Sequence, residues 1–184
     1  MTDHMPKLVA FDLDYTLWDL WVDTHVSEPL RRDGNEINQV LDRYGQEICF
    51  YKDVPQILHR LRVQGIFVAA CSRTSAPSVA RKALSLLLVP ADNGDKHGTP
   101  VAAETMFDQM EIYPGSKKSH FRKIQEATGI PYSDMLFFDD EIRNKDVASL
   151  GVTFCLVPDG VNNRAFEKGL EEWRRRHPEQ TGEE

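Results

Sequence analysis

Four short runs of apolar residues constrain the fold of this chain more than any other feature of its sequence. The runs are LVAF (8–11), IFVAAC (66–71), MLFF (135–138) and VTFCLV (152–157). None of them alternates apolar with polar residues, as a strand with one solvent-exposed face does. Continuous apolar runs of this length are typical of parallel strands that are covered on both faces. The sequence therefore predicts a buried parallel sheet.

Helical patterns separate these runs. In DVPQILHRLRVQG (53–65), Asp53 is suited to cap a helix, Pro55 to occupy its first turn and Gly65 to end it. Further helices are predicted over 76–88, 116–128, 142–150 and 162–175, with a short strand over 110–113. The order of strands and helices predicts an α/β fold, an open Rossmann-like parallel sheet with helices on both faces.

Two segments interrupt this order. Residues 19–50 are polar and rich in turn formers and follow the first strand at once, so we expect a small flap beside the strand end, too short to form a cap domain. Residues 89–100, VPADNGDKHGTP, are predicted to form a surface loop. With 184 residues and 41% hydrophobic residues, the chain is expected to form a single domain over 1–184.

The amino-acid composition of the chain limits the kinds of partner that it is expected to bind. The chain has 22 Lys plus Arg against 29 Asp plus Glu, and a net charge of −7 argues against general nucleic-acid binding. No apolar run approaches the roughly 20 residues that span a bilayer. The three cysteines form no CxxC pair and are interpreted as reduced thiols. We therefore expect a cytoplasmic monomer with neither nucleic-acid nor membrane partners.

Polar residues follow three of the four apolar runs. Asp12 comes after the first run, with Asp14 two residues later, Ser72 follows the second, and Asp139 and Asp140 follow the third. Because the carboxyl ends of parallel strands lie at one edge of the sheet, these side chains are expected to converge on one crevice. Carboxylate oxygens are the ligands that Mg²⁺ prefers. The sequence therefore predicts a magnesium site there.

A lysine stands at the start of the third predicted helix, 116–128, where it opposes the helix dipole. Lys117 could be a tolerated surface residue, as Lys118 could, or it could reach the acidic crevice and hold phosphoryl oxygens. Taken alone, Ser72 would be interpreted as a helix cap. The ordered set of strand-end carboxylates, serine and lysine instead indicates phosphoryl transfer.

The sequence lacks the motifs of several other classes of enzyme and nucleotide-binding protein. The positions six residues after the three cysteines hold Pro55, Pro77 and Val161, which excludes the CxxxxxR loop of cysteine phosphatases. The chain has no GxxxxGK[ST], GxGxxG or HExxH motif. The six histidines are scattered, and His25 and His120 are predicted to be surface residues. No histidine is assigned a role.

The motifs AFDLDYTLW, AACSRTS, the lysine of YPGSK and FFDDE resemble those of the haloacid dehalogenase superfamily of phosphatases. Over about 7–157 the chain looks like the magnesium-dependent phosphatases of that superfamily. The resemblance implies that Asp12 is the nucleophile and Asp14 the general acid and base. It implies Mg²⁺ ligands from Asp12, the backbone carbonyl of Asp14, and Asp140, with Asp139 as a supporting residue.

The same resemblance extends to substrate binding. It implies that Ser72 and Lys117 bind phosphate and places Arg73 at the substrate, although Arg73 could instead pair with acidic neighbours. Thr16, which follows the two aspartates of the first motif, is taken as a second supporting residue. The loop over 89–100 is longer than expected for this group.

These observations predict a Mg²⁺-dependent phosphomonoester hydrolase that acts through an aspartyl phosphate. The expected partner is a phosphorylated small molecule or phosphoprotein, with phosphotyrosine and free or protein-linked sugar phosphates as candidates. A phosphotransferase or mutase would carry the same motifs. A receiver-like signalling switch also uses a phosphorylated aspartate and Mg²⁺, but it has its adjacent acidic pair near the first strand, whereas here that pair comes late.

Overall fold

A five-stranded parallel sheet forms the centre of the computed structural model, which describes residues 4–91 and 98–178. All four predicted apolar strands and the short one over 110–113 are confirmed, with each bound shifted by at most one residue. In spatial order the strands, numbered along the chain, are β7 (Gln109–Ile112), β4 (Phe67–Ser72), β1 (Leu8–Phe11), β8 (Met135–Asp139) and β9 (Thr153–Leu156).

Helices cover both faces of this sheet, as the sequence predicts. Val9 and Phe11 of β1 face the core shared with the helices over 54–63, 77–86 and 163–176, whereas Leu8 and Ala10 face the core shared with the helix over 117–128. This alternation along β1 explains why the run is apolar throughout. The helices are α1 (Val22–His25), α2 (Val54–Val63), α3 (Pro77–Leu86), α4 (Lys117–Thr128) and α5 (Asn163–Arg176).

Two local predictions need correction. The segment Ile142–Leu150 is a 3₁₀ helix, in which Asn144 and Val147, three residues apart, are buried, a spacing that suits three residues per turn. Asp53 precedes α2 but does not cap it, because its carboxylate accepts a hydrogen bond from the Asn163 backbone N–H (2.9 Å) at the start of α5. The predicted end of α2 is confirmed, since Gly65 adopts a left-handed φ of 67°.

The segment over 19–50 contains the one-turn helix α1 and a two-stranded hairpin of β2 (Val40–Leu41) and β3 (Glu47–Ile48). Trp18, just before this flap, stacks on Phe50 at its end with ring centroids 6.0 Å apart. The predicted loop over 89–100 connects two short antiparallel strands, β5 (Leu88–Val89) and β6 (Val101–Ala102), which form a second hairpin. Positions 92–97 of that loop lie outside the described residues.

Two smaller findings bear on the compositional predictions. Across 4–91 and 98–178, no helix combines the length and apolar character needed to cross a membrane. The three cysteines are free thiols, Cys71 buried and Cys49 and Cys155 half-buried.

The order of the strands places the expected ligand site. From β1 the chain moves to β4 and β7 on one side, then returns to β8 and β9 on the other. The strand order therefore reverses between β1 and β8. In open parallel sheets, ligands bind at the carboxyl ends of the strands at such a reversal.

Candidate active site

The polar residues that follow the strands meet at this edge of the sheet. Asp12 directly follows β1, and its backbone N–H continues the ladder to the Phe138 carbonyl (3.0 Å) of β8. Ser72 and Asp139 end their own strands. Asp12 and Ser72 border an open cleft of about 320 Å³ whose lining includes Asp12, Asp14, Trp21, Asp23, Ser72, Arg73, Thr74, Lys117, Glu141, Arg143 and Asn144.

A buried lysine lies at the base of the cleft. The Nζ atom of Lys117 is 2.7 Å from Asp12 Oδ1 and 3.3 Å from Asp139 Oδ2, and it also donates to the Cys71 carbonyl. Only 2% of Lys117 is exposed, so its interpretation as a tolerated surface lysine is wrong. Burial alone would lower the pKa of Lys117, but the two carboxylates outweigh it and hold the pKa above its usual range.

Three carboxylates lie close enough to share a cation. Ligand oxygens of Asp12, Asp139 and Asp140 all lie within 4.8 Å of one another. Burial raises the pKa of Asp12, with Lys117 opposing the rise, and raises the pKa of Asp140. Burial, with the nearby Asp12 charge, raises the pKa of Asp139 to about 6. Burial is the largest cause of these rises and repulsion between the carboxylates adds to it, and a bound cation would favour the charged forms against both.

The two members of the acidic pair have different surroundings. Asp139 is fully buried and accepts hydrogen bonds from the Glu141 backbone N–H (2.8 Å) and from Asn144 Nδ2 (2.9 Å), in addition to its ion pair with Lys117. Asp140 is half-buried, and its Oδ1 lies 3.3 Å from the Thr16 hydroxyl. The protein thus occupies the Asp139 oxygens more fully than those of Asp140.

Thr16 joins the first and last motifs. Its hydroxyl lies 3.3 Å from both Asp12 Oδ2 and Asp140 Oδ1, so its single proton can be donated to either carboxylate. It also accepts a hydrogen bond from the Asp140 backbone N–H (3.2 Å). Thr16 therefore links β1 to β8 at the level of the carboxylates.

Asp14 has partners from the start of the flap. Its Oδ1 accepts hydrogen bonds from the Trp18 indole Nε1 (2.8 Å) and the Val22 backbone N–H (3.3 Å). Burial raises the pKa of Asp14 to about 7, assisted by the Asp12 charge and opposed by the Trp18 hydrogen bond. A carboxyl group with this pKa can both release and accept a proton near neutral pH.

A buried amide that the sequence analysis did not single out connects two predicted residues. Arg73 Nη1 donates to Asn144 Oδ1 (3.1 Å), and Asn144 Nδ2 donates to Asp139 Oδ2 (2.9 Å). In this conformation Arg73 thus donates to an amide oxygen. The signal available in the sequence was that Asn144 follows the acidic pair closely in FFDDEIRN.

The rim of the cleft contains further residues that the sequence analysis did not assign, Trp21 and Asp23 from the flap among them. Trp21 is 47% exposed and stacks on His25 with ring centroids 5.6 Å apart. Asp23 accepts a hydrogen bond from the Ser75 hydroxyl (2.9 Å), which ties the flap to the segment after β4. Trp21 and Asp23 of the segment over 19–50 thus lie at the rim of the cleft.

One histidine prediction is wrong. His120 is fully buried on the face of α4 that packs inward, whereas His25 is exposed as expected. The Nε2 atom of His120 donates to the Tyr113 carbonyl (3.0 Å), while Nδ1 has no hydrogen-bond partner among the described residues. Burial, with the nearby Lys117 charge, lowers the pKa of His120 to about 4.

With this geometry established, comparison with known proteins decides the family. A family model described as acid phosphatase matches residues 4–176. The chain belongs to the acid phosphatase family. It is 48% identical over 167 residues to a HAD-like hydrolase superfamily protein of Schizosaccharomyces pombe, covering 90% of this chain and 94% of that one. It is 44% identical over 169 residues to human magnesium-dependent phosphatase 1, covering 91% and 87%.

Solved structures agree on the fold of this family member. A 3-deoxy-D-manno-octulosonate 8-phosphate phosphatase of Moraxella catarrhalis, in complex with magnesium, phosphate and its sugar, aligns with a TM-score of 0.52 at 19% identity, covering 88% of this chain and 72% of that one. The predicted haloacid dehalogenase resemblance and fold class are confirmed. The predicted enzyme class, a phosphatase, and the predicted cofactor, Mg²⁺, agree with the family and its relatives, and the match disfavours the receiver-like alternative.

Proposed function

We propose that this acid phosphatase family member hydrolyses phosphomonoesters through a phosphorylated Asp12, with Mg²⁺ as cofactor. The observation that carries the proposal is the buried Lys117 ammonium between Asp12 and Asp139, at the base of a solvent-open cleft. Ordering a carboxylate nucleophile beside fixed positive charge is what in-line phosphoryl transfer requires, because the chemistry depends on positioning and on stabilisation of charge.

The residues present fit a magnesium ion. We assign the ligands to Asp12, the backbone carbonyl of Asp14, and Asp140, with Asp139 and Thr16 as supporting residues. Three carboxylates with oxygens within 4.8 Å of one another are a hard, all-oxygen donor set. When bound, Mg²⁺ neutralises charge on the phosphoryl oxygens and favours the ionised form of Asp12.

In the first step, an oxygen of the Asp12 carboxylate attacks phosphorus, and the bond from phosphorus to the leaving oxygen breaks. Asp14 donates its proton to that leaving oxygen. In the second step, Asp14 takes a proton from the water that hydrolyses the aspartyl phosphate. The pKa of about 7 for Asp14 suits both directions of proton transfer.

Three residues are proposed to bind the phosphoryl group. Lys117 is already held against Asp12, and Ser72 lies at the end of the neighbouring strand in the same cleft. Arg73 uses Nη1 for Asn144, so its other guanidinium hydrogens face no partner that the described contacts supply. A planar guanidinium that is held in place through one nitrogen is well suited to bind a phosphate through its other N–H groups.

The openness of the cleft supports the substrate class that we propose. The flap contributes Trp21 and Asp23 to its rim, and residues 19–50 contain only a one-turn helix and a two-residue hairpin as regular structure. A bulky leaving group can therefore extend into solvent. We propose phosphorylated small molecules or phosphoproteins as substrates, with phosphotyrosine and free or protein-linked sugar phosphates as the candidates.

The test is a hydrolysis screen over phosphotyrosine, phosphotyrosine peptides and sugar phosphates, with Mg²⁺ and with excess chelator. Asp12→Asn serves as the inactive control. Release of phosphate that needs both Mg²⁺ and Asp12 supports the proposal. Undiminished release in chelator would remove the cofactor assignment, and turnover confined to the smallest metabolites would contradict the proposed openness. Adding glycerol as an acceptor and measuring glycerol phosphate distinguishes hydrolysis from phosphotransfer.

A further inference from the structure

One oxygen of Asp14 is committed to hydrogen bonds within the protein. Oδ1 accepts the Trp18 indole N–H (2.8 Å) and the Val22 backbone N–H (3.3 Å). Both donors are permanent N–H groups that cannot accept a proton. Because both N–H groups donate to Oδ1, they orient the carboxyl group so that Oδ2 is the oxygen left to exchange a proton with the reacting group.

We propose that Trp18 is a positioning residue that sets which oxygen of Asp14 acts as the proton donor and acceptor. This proposal rests on the proposed function, since it describes how the flap prepares its general acid. Trp18 does not touch the substrate: it is fully buried, whereas Asp14 lines the cleft. Its effect on the reaction passes through the Asp14 carboxyl group alone.

Trp18 is held rigidly enough for this role. Its ring stacks on Phe50 with an interplanar angle of 10°, and its backbone forms isolated bridges to both Asp14 and Phe50. The indole therefore has a fixed position relative to the backbone that carries Asp14. A hydrogen bond from the Ser75 hydroxyl to Asp23 holds α1, the helix that contains the Val22 N–H, in place. The acid is thus oriented before any substrate arrives, and such preorganisation avoids the cost of ordering it during the reaction.

The consequence for the reaction is specific to one proton transfer. As the Asp12 oxygen forms its bond to phosphorus, the electron pair of the breaking bond goes to the leaving oxygen, which takes the proton from Asp14 Oδ2. Without the Trp18 N–H, only the longer hydrogen bond from the Val22 N–H orients the carboxyl group, so Oδ2 is held less firmly towards the leaving oxygen. The rate should therefore fall most for esters whose leaving oxygen needs a proton, and least for those whose leaving oxygen is stable as an anion.

The main experiment compares wild type with Trp18→Phe, which removes the indole N–H and retains a ring to stack on Phe50. We measure kcat/KM for phenyl phosphate, a poor leaving group, and for dinitrophenyl phosphate, a good one, because kcat/KM reports the steps up to release of the alcohol. We expect a loss of about tenfold for phenyl phosphate and under about twofold for dinitrophenyl phosphate. Inhibition by inorganic phosphate should be unchanged, since phosphate binding does not use Trp18.

Trp173→Phe is the matched control. Trp173, in α5, is also a buried tryptophan. Its indole N–H donates to the Ser133 carbonyl (3.0 Å). This variant loses an equivalent buried hydrogen bond, so it reports the general effect of such a loss on stability. Its kcat/KM values for the two esters should keep the wild-type ratio.

A second pair of variants keeps the test decisive if Trp18→Phe does not fold. Val22→Pro removes the other N–H donor to Asp14, at the first residue of α1, where proline is tolerated. The preceding Trp21 has φ −95° and ψ 116°, a conformation compatible with a following proline. Val22→Ala shortens the same side chain and keeps the N–H. The proline variant alone should show a leaving-group-dependent loss, of about threefold for phenyl phosphate given its longer hydrogen bond.

The outcomes separate the inference from the proposed function. An equal loss for both esters, or no loss for either, in the folded variants would overturn the role of Trp18 while leaving the reaction intact. Activity that survives Asp12→Asn would instead overturn the proposed function itself. A loss confined to phenyl phosphate, absent in Trp173→Phe and Val22→Ala, supports the positioning role.

Discussion

The Nζ atom of Lys117 lies 2.7 Å from Oδ1 of Asp12, although the two residues are 105 positions apart in the chain. The same ammonium forms an ion pair with Asp139 Oδ2 at 3.3 Å and donates to the Cys71 carbonyl. One lysine thus binds side chains at the ends of β1 and β8 and the backbone of β4. It links the three strands on which the candidate site is built.

Replacing this lysine is expected to affect both activity and stability. Lys117→Met leaves Asp12 and Asp139 buried without their counterion, so the free energy of unfolding without Mg²⁺ should fall by about 3–5 kcal/mol. Phosphatase activity should fall by at least about 10²-fold, because a preorganised positive charge is lost. Lys118→Met, its half-buried neighbour, is the control and should change neither quantity substantially. Denaturant titration and steady-state assays measure both, and a fully active Lys117→Met variant would contradict the proposal.

Asp12→Asn and Asp14→Asn should impair different steps of the reaction. Asp12→Asn removes the nucleophile, so no phosphoenzyme should form and turnover should vanish. Asp14→Asn keeps the nucleophile but loses the proton carrier, typically worth about 10²–10⁴ in rate. An aryl phosphate with a good leaving group needs little protonation, so in Asp14→Asn the second step should suffer more than the first. The aspartyl phosphate should then accumulate.

Rapid quenching followed by mass spectrometry measures that accumulation. We expect a phosphate-sized adduct on Asp12 in the Asp14→Asn variant and none in Asp12→Asn. Complete absence of the adduct from both variants would mean that the two roles are misassigned.

The acidic pair should respond unequally to the same substitution. The protein already occupies the Asp139 oxygens with Lys117, Asn144 and a backbone N–H, whereas Asp140 has one side-chain partner at 3.3 Å. Asp140→Asn should therefore raise the Mg²⁺ concentration for half-maximal activity by on the order of 100-fold, and Asp139→Asn by about tenfold. Calorimetric titration of Mg²⁺ should give the same order, and the reverse order would exchange the two roles.

The buried His120 should make stability depend on pH. Its pKa is lowered to about 4 in the folded protein, against 6.5 for an ordinary histidine, so between these values the unfolded chain binds more protons. The contribution of His120 to the free energy of unfolding is therefore fully present above pH 6.5. It decreases by up to about 3 kcal/mol as the pH falls towards 4. The nearby Lys117 and Arg73 charges favour the neutral ring, and Glu111 opposes them.

Comparing wild type with His120→Gln isolates this contribution from the other titrating groups. Glutamine can still donate to the Tyr113 carbonyl but does not titrate, so the difference in unfolding free energy between the two proteins should change over pH 4–6.5 and be constant above it. A constant difference between wild type and His120→Gln at every pH would show that His120 does not carry the effect.

Local sequence patterns were sufficient for the sheet and for the strand-end residues. Runs such as LVAF are apolar throughout because their two faces enter two cores, and the polar residue after each run marks the edge where the strand leaves the core. The bounds of the 3₁₀ segment were predicted but not its type, because Asn144 turns inward to Asp139, and the closeness of Asn144 to the acidic pair in the sequence does not by itself specify that contact. The burial of His120 was missed for a related reason, since its partner is a backbone carbonyl seven residues away.

The sequence by itself determined the α/β fold, the edge at which the site lies, and the residue types that meet there, because burial periodicity and strand direction are local properties. Only the tertiary structure decided which partners each side chain has: that Lys117 is buried against Asp12, that Trp18 holds one oxygen of Asp14, and that Asn144 joins Arg73 to Asp139. Contacts such as Lys117 with Asp12 join residues far apart in the chain, and their distances and burial, which set the charges of the site, exist only once the strands are assembled.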